Sequence, residues 1–300
     1  MQQGVDDEIP DLRLSGGEHQ NLVNASFQSA ARYWREIYER DDMHAQVYQR
    51  RQARVLRLID ELGLPPYSHA LEIGCGAGLT TVALAQRGYR VNAVDAVPAM
   101  LDLARQEAAK AGVEDRITTS LGDVHHLAFR DNSFSLVLAI GVASWLHSLD
   151  TAMQELSRVL RPQGYIVITA ANRWCLHHIL SPRSFPGFQP IRWKMRNVLE
   201  QFGLLKPATE PRHRMYSITE FDAFLSAARL EKMEGMTIGF EPFPFLNHLL
   251  PQSVGTKIDQ TFQRLADRGL PLIRYAGVGY IALAKKCGRA DGAEDAGDIA

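Results

Sequence analysis

The chain has 300 residues, 46% of them hydrophobic, which suits one large core or two modest ones, and 33 Lys and Arg against 34 Asp and Glu leave a formal net charge of −1. That balance argues against wholesale nucleic-acid binding, which needs a strongly basic face. Three cysteines, at 75, 175 and 287, form no C-x-x-C pair, so neither a disulfide framework nor a structural zinc site is expected, and no signal-like or long apolar segment argues for a location other than the cytoplasm.

In chain order, residues 1–20 are acidic and turn-rich and are expected to be a flexible terminus. Residues 21–66 read as a helical cover. Tyr33, Trp34, Ile37 and Tyr38 fall at helical spacing, a second run passes through Val47, Val55, Leu56, Ile59 and Leu62, and Gly63 with Pro65-Pro66 ends it. From 67 to 171 strands alternate with helices, which predicts an α/β fold built on a doubly wound, mostly parallel sheet. Its first strand runs into Ala70-Leu-Glu72-Ile-Gly74-Cys75-Gly76-Ala-Gly78-Leu-Thr80, a buried strand, a tight turn and a helix start. Glycine tolerates positive φ and carries no Cβ, so a ligand can approach the backbone and be met by N–H groups at the helix N-terminus. The spacing is G-x-G-x-G, not the G-x-G-x-x-G of dinucleotide folds, which speaks against a nicotinamide oxidoreductase. Glu72, two residues ahead of the first glycine, repels phosphate and favours a cationic or amino-bearing ligand such as S-adenosylmethionine.

Gly88 to Asp95 reads as the next strand, and a carboxylate at its end can accept both hydroxyls of a ribose. A helix follows from Pro98 to Ala111 and stops at Gly112. After Ile117-Thr118-Thr119 comes Leu121-Gly122-Asp123-Val124, where Asp123 is placed to accept from an adenine amino group, with His125 and His126 framing the ring. Phe134 to Gly141 is a strand, Thr151 to Leu160 a helix, and Arg161-Pro162-Gln163-Gly164 leads into the strand Tyr165 to Ala170.

These motifs together, Glu72 to Gly78, Val94 to Met100, Gly122-Asp123, Phe134 to Gly141 and Leu160 to Ile168, resemble the class I S-adenosylmethionine-dependent methyltransferases, in particular the small-molecule branch called type 11. The resemblance covers about residues 30 to 171 and departs at Gln163, where the family usually has a second glycine. It implies a seven-stranded Rossmann-like sheet with N-terminal helices and a lid insertion, S-adenosyl-L-methionine as cofactor and S-adenosyl-L-homocysteine as product. Glu72, Gly74, Cys75, Gly76, Gly78, Asp95, Ala96, Met100, Asp123, Val124 and Ile140 become the cofactor-binding candidates. Tyr33, Tyr38, Trp145 and Asn172 are the candidates for the acceptor side, and no metal is expected. His147, following the fourth strand at the rim, is the first candidate for a general base, with an ordinary pKa suited to neutral pH.

Residues 172–216 break the alternation with prolines and read as a lid. Between Arg173 and Arg214 stand eight Lys or Arg and two Glu, an excess suited to an anionic acceptor or to anionic lipid. Within it Ile191 to Phe202, with Trp193 and Met195, is expected to form an amphipathic helix. Residues 217–286 supply a helix at Ile218–Leu225 with Thr219 as N-cap, strands at Lys232–Thr237 and Gly279–Lys285 forming the antiparallel edge, an aromatic and proline segment at Gly239–Leu246, and a helix through Lys257–Arg268. The tail 287–300 is acidic, rich in small residues and expected to be disordered. The sequence therefore points to methyl transfer onto a small or medium organic acceptor, most readily at oxygen of a natural-product or glycan-type molecule. Nitrogen, sulfur or carbon transfer to a small molecule or lipid precursor is the alternative, as is a non-catalytic cofactor-binding partner. The Asn-Pro-Pro-aromatic motif of amino-group nucleic-acid enzymes is absent after the fourth strand, and oligomeric state is not legible.

Overall fold

The computed structural model describes residues 15–181, 185–188, 191, 194–195, 198–199, 202, 213–240 and 252–288. Strands β1 (His69–Ile73), β2 (Arg90–Asp95), β3 (Ile117–Leu121), β4 (Phe134–Ala139) and β5 (Leu160–Ala171) pair in parallel. β7 (Gly279–Lys286) lies antiparallel between β5 and β6 (Leu230–Ile238), giving the order β3-β2-β1-β4-β5-β7-β6. Crossover helices cover both faces, so the central strands are apolar on both sides. Successive residues then serve opposite cores: Val137, Ile166 and Ile168 join Met153, Leu156 and Phe221, whereas Leu136, Leu138 and Val167 join Val55, Ile59 and Leu84.

Helices α1 (Gly16–Ser29), α2 (Ala31–Glu36) and α3 (Met43–Glu61) precede the sheet. α4 (Leu79–Gln86), α5 (Pro98–Ala111) and α6 (Leu149–Val159) are crossovers, followed by α7 (Leu176–Leu180), α8 (Ile218–Ala227) and α9 (Gln252–Asp267). α5 starts with Pro98 in its first turn and ends at Gly112 in the left-handed region, as its sequence predicts.

Several boundaries differ from the sequence expectation. α1 begins at Gly16, inside the stretch expected to be flexible, because Ser15 and Glu18 form a capping box that satisfies two backbone donors reciprocally. The cap of α8 is Ser217, not Thr219, and it too forms a capping box, with Glu220. β5 reaches back through Arg161-Pro162-Gln163-Gly164 to Leu160, with a register shift against β4, and Gln163 takes φ +63° at the position where the resembling family has glycine. In the 191–202 stretch residues 191, 194–195 and 198–199 are helical, while Trp193 lies outside the described residues. The same holds for 241–251 of the aromatic and proline segment and for 289–300 of the tail. No helix among the described residues is long and apolar enough to cross a membrane.

The Ser217 cap gives a direct test. Ser217→Ala should lower unfolding free energy by about 1 kcal/mol, read from the denaturant midpoint at unchanged slope; no shift would mean that the cap contributes nothing.

Candidate active site

A cavity of about 370 Å³ lies at the carboxyl ends of β1, β2, β4 and β5, beside the point where the strand order reverses between β1 and β4. The β1 turn forms its floor. Gly74, Gly76 and Gly78 all adopt positive φ, but they serve different ends. A Cβ on Gly78 would stand 2.7 Å from the Ala104 backbone, so this glycine lets α4 pack on α5. A Cβ on Gly76 would meet nothing within 4 Å, so its missing side chain leaves room for a ligand against the backbone.

Asp95, at the end of β2, is buried. One carboxylate oxygen accepts from Gly76 N–H at 2.9 Å and the other from Val97 N–H at 2.9 Å. Burial pushes its carboxyl pKa up, and the backbone donors of Gly76, Val97 and Ala96 oppose that shift. Glu72 is more extreme. Its side chain is buried, accepts from the Thr81 hydroxyl, and desolvation pushes its pKa up to about 8. Cys75 is a buried thiol whose pKa burial raises well above the ordinary value, with the nearby carboxylates adding to the effect, so it is an inert filler.

At the β3 exit the Asp123 carboxylate accepts from the His125 backbone N–H at 3.0 Å and stands 2.6 Å from His125 Nδ1. Burial alone would raise the Asp123 pKa, but these bonds outweigh it and the group sits below its ordinary value. His125 is thereby turned toward Asp123 and Ser148, whose N–H lies 3.4 Å from Nε2.

The structure brings Glu72, Gly74, Cys75, Gly76, Asp95, Ala96, Met100, Asp123, Val124 and Ile140 to the cavity wall, with Tyr38 and Trp145 opposite. It leaves four expected residues off that wall. Gly78 stands behind the turn, and Tyr33 packs on Trp34 with its ring partly in solvent. Asn172 is consumed structurally: its amide donates to the Tyr275 and Gly277 carbonyls at 2.8 and 2.9 Å, and its Oδ1 accepts from Trp174 N–H. His147 is wedged between the start of α1 and His125, its ring 3.6 Å from the His125 ring and so close to Gly16 that a Cβ there would clash at 2.7 Å. Burial and the neighbouring His125 lower its pKa.

Sequence reasoning missed Phe27, Trp34, Tyr48, Arg51 and His213, all on the wall. Phe27 packs edge-on against Trp145 and tilted against Trp34, and Trp34 meets Tyr48, so the rings form one continuous surface. The Arg51 guanidinium lies 4.7 Å from the centre of the Tyr48 ring and against Gly141; its buried Nε has no hydrogen-bond partner, and no carboxylate pairs with it among the described residues. A signal for it existed. Val47, Arg51 and Val55 lie four apart on α3, putting a cation into an otherwise apolar stripe.

The family model described as "Methyltransferase domain" matches residues 71–168, the stretch that builds the floor and the central strands. Residues 71–168 thus form a methyltransferase domain. Among curated relatives of this domain, a malonyl-[acyl-carrier protein] O-methyltransferase from Halorhodospira halophila is 32% identical over 174 residues, 55% of this chain and 55% of that protein. The methyltransferase GfsG of Streptomyces halstedii is 33% identical over 113 residues, 37% of this chain and 41% of that protein. A demethylmenaquinone methyltransferase from Lactiplantibacillus plantarum is 33% identical over 150 residues, 48% and 59%. The chain thus spans less than two thirds of each. Among solved structures, magnesium protoporphyrin IX methyltransferase from Synechocystis with bound S-adenosylhomocysteine superposes with a TM-score of 0.59 at 15% identity, over 89% of this chain and 99% of that one. The [4+2]-cyclase SpnF gives 0.57 at 17% over 89% and 95%, so the fold of this domain is shared beyond methyl transfer.

Glu72 yields a prediction with a definite sign. Its folded pKa of about 8 lies above the ordinary 4.5, so the folded chain holds this proton more tightly and loses stability as pH climbs between those values. Glu72→Gln removes that loss: its melting temperature should gain on the wild type between pH 4.5 and about 8 and then hold a constant lead. Parallel melting profiles across that window would show that Glu72 is not a buried acid with a raised pKa.

Proposed function

We propose that this chain is an S-adenosylmethionine-dependent methyltransferase acting on a small or medium, largely apolar organic acceptor, with oxygen as the methylated atom. The observation that carries the reading is the meeting of the glycine turn, Asp95 and an unpaired Arg51 in one cavity with an aromatic wall. An O-methyltransferase among the relatives supports oxygen.

The donor set suits the cofactor. Open space over Gly76 admits a ligand to the backbone, and the Asp95 oxygens, each taking one backbone N–H, retain lone pairs for ribose hydroxyls. The Asp123-Val124 loop would border the adenine. Arg51 would hold the carboxylate of the amino-acid end, and Glu72 would face its ammonium, a cation that favours the ionised acid. When bound, S-adenosylmethionine supplies an electrophilic methyl group on a positively charged sulfur. The chain's own work is alignment and exclusion of water, which the Phe27, Trp34, Tyr48 and Trp145 wall provides. Proton acceptance from an acceptor hydroxyl falls to His213 in place of His147. Its ring lies 4.8 Å from Trp145 on the cavity wall, and burial followed by the charge of His178 lowers its pKa, so the imidazole is neutral and able to take a proton at pH 7.

Calorimetric titration tests the cofactor assignment. Arg51→Met should weaken S-adenosylhomocysteine binding by about 10- to 100-fold, the range for a hydrogen bond to a charged group, and leave 5′-methylthioadenosine, which lacks the amino-acid end, unaffected. Equal losses for both ligands would make Arg51 a packing residue. Absence of S-adenosylhomocysteine binding by the wild type would overturn the methyltransferase reading.

A further inference from the structure

The segment 172–216 leaves the sheet and returns to it at one place, the rim of the cavity. Asn172 bridges Tyr216, Tyr216 N–H donates to the Ala171 carbonyl at 2.9 Å, and Arg214 N–H donates to the Ser144 carbonyl at 2.7 Å. Ala171, Ser144 and His213 are all on the cavity wall. The two ends of this segment are therefore fixed at the cavity's edge.

Between those anchors, side chains that would ordinarily be buried face solvent. Ile191 is 59% exposed, Met195 59%, Val198 48% and Phe202 75%. Their spacing of four, three and four puts them on one stripe of a helix; residues 191, 194–195 and 198–199 are helical, and Phe202 N–H donates to the Val198 carbonyl at 3.1 Å. Trp174, Ile179 and Phe188, earlier in the segment, are exposed as well, and none of these residues belongs to a core cluster among the described residues. The charges that accompany them are mostly positive: eight Lys or Arg against two Glu from Arg173 to Arg214, in a chain whose net charge is −1.

An apolar stripe in a segment of net positive charge has the chemistry of a helix lying in a bilayer interface, where acyl chains take the apolar side chains and anionic headgroups take the cations. A protein partner is more commonly met by an apolar centre within a rim of both signs. We propose that the face carrying Ile191, Met195, Val198 and Phe202 docks on an anionic lipid surface. This goes beyond the catalytic reading and does not depend on it.

The test is flotation of the full chain with vesicles of phosphatidylcholine alone or of phosphatidylcholine mixed with phosphatidylglycerol. The wild type should float with the mixed vesicles about tenfold more than with the neutral ones, and lose that advantage at about 1 M salt, where the screening length is about 3 Å. Met195→Glu combined with Phe202→Glu should reduce flotation to background while S-adenosylhomocysteine affinity stays unchanged, which separates this proposal from the cofactor assignment. Equal flotation of the variant, or no flotation of the wild type, would overturn the proposal. So would a concentration-dependent dimer, seen by light scattering without lipid, that the same substitutions dissolve.

Discussion

The carboxylate of Asp95 is the joint on which the cavity depends. It accepts from the turn after β1 through Gly76 and from the entry to α5 through Val97, while the Asp95 backbone carbonyl accepts from Gly122 in the turn after β3. Three loops that border the cavity are thus tied to one buried residue at the end of one strand. Hydrogen bonds to a charged group are worth about 1.5–3 kcal/mol each, and the loss of the acceptor would strand the donors. The pairing of Ile73 with Val94 sets where that carboxylate falls relative to the glycine turn, so strand register is converted into the shape of a ligand site.

The opposite wall is built by different means. α3 presents three faces at once. Val55, Leu58 and Ile59 pack against the sheet, Arg50 and Arg54 form ion pairs with Asp259 and Asp267 of α9, and Val47, Tyr48 and Arg51 turn toward the cavity. The ion pairs and the core contact fix the rotation of the helix, and that rotation delivers Arg51. The turned-in guanidinium keeps its place by stacking on Tyr48 and by the absence of a side chain at Gly141, where even a methyl group would press on it at 3.0 Å.

The cavity has two chemically distinct sides. The floor is made of backbone and carboxylates; the wall is made of rings, one cation and His213. The rim also holds both ends of the segment 172–216, through Asn172 and Tyr216 and through Arg214 on the Ser144 carbonyl.

The cofactor side was legible because it is local. Glu72, the glycine turn, Asp95 and Asp123 each sit at the end of a strand whose apolar run is visible in the sequence, and parallel pairing necessarily brings such ends to one edge. The opposite wall was legible only in part: Tyr38 and Trp145 reach it, whereas Tyr33 and Asn172 do not. Asn172 reads as a rim residue until its amide is seen to be spent on the Tyr275 and Gly277 carbonyls, about a hundred residues away. His147 follows the fourth strand in sequence, yet the start of α1 closes over it, whereas His213, sixty-six residues further on, stands on the wall. Periodicity and end-of-strand chemistry by themselves determined the sheet and which residues meet on the cavity floor, since both follow from short-range pattern. Which distant helices cover the sheet, and at what rotation, is decided by packing and ion pairs between segments far apart in the chain, and only the tertiary structure decided that.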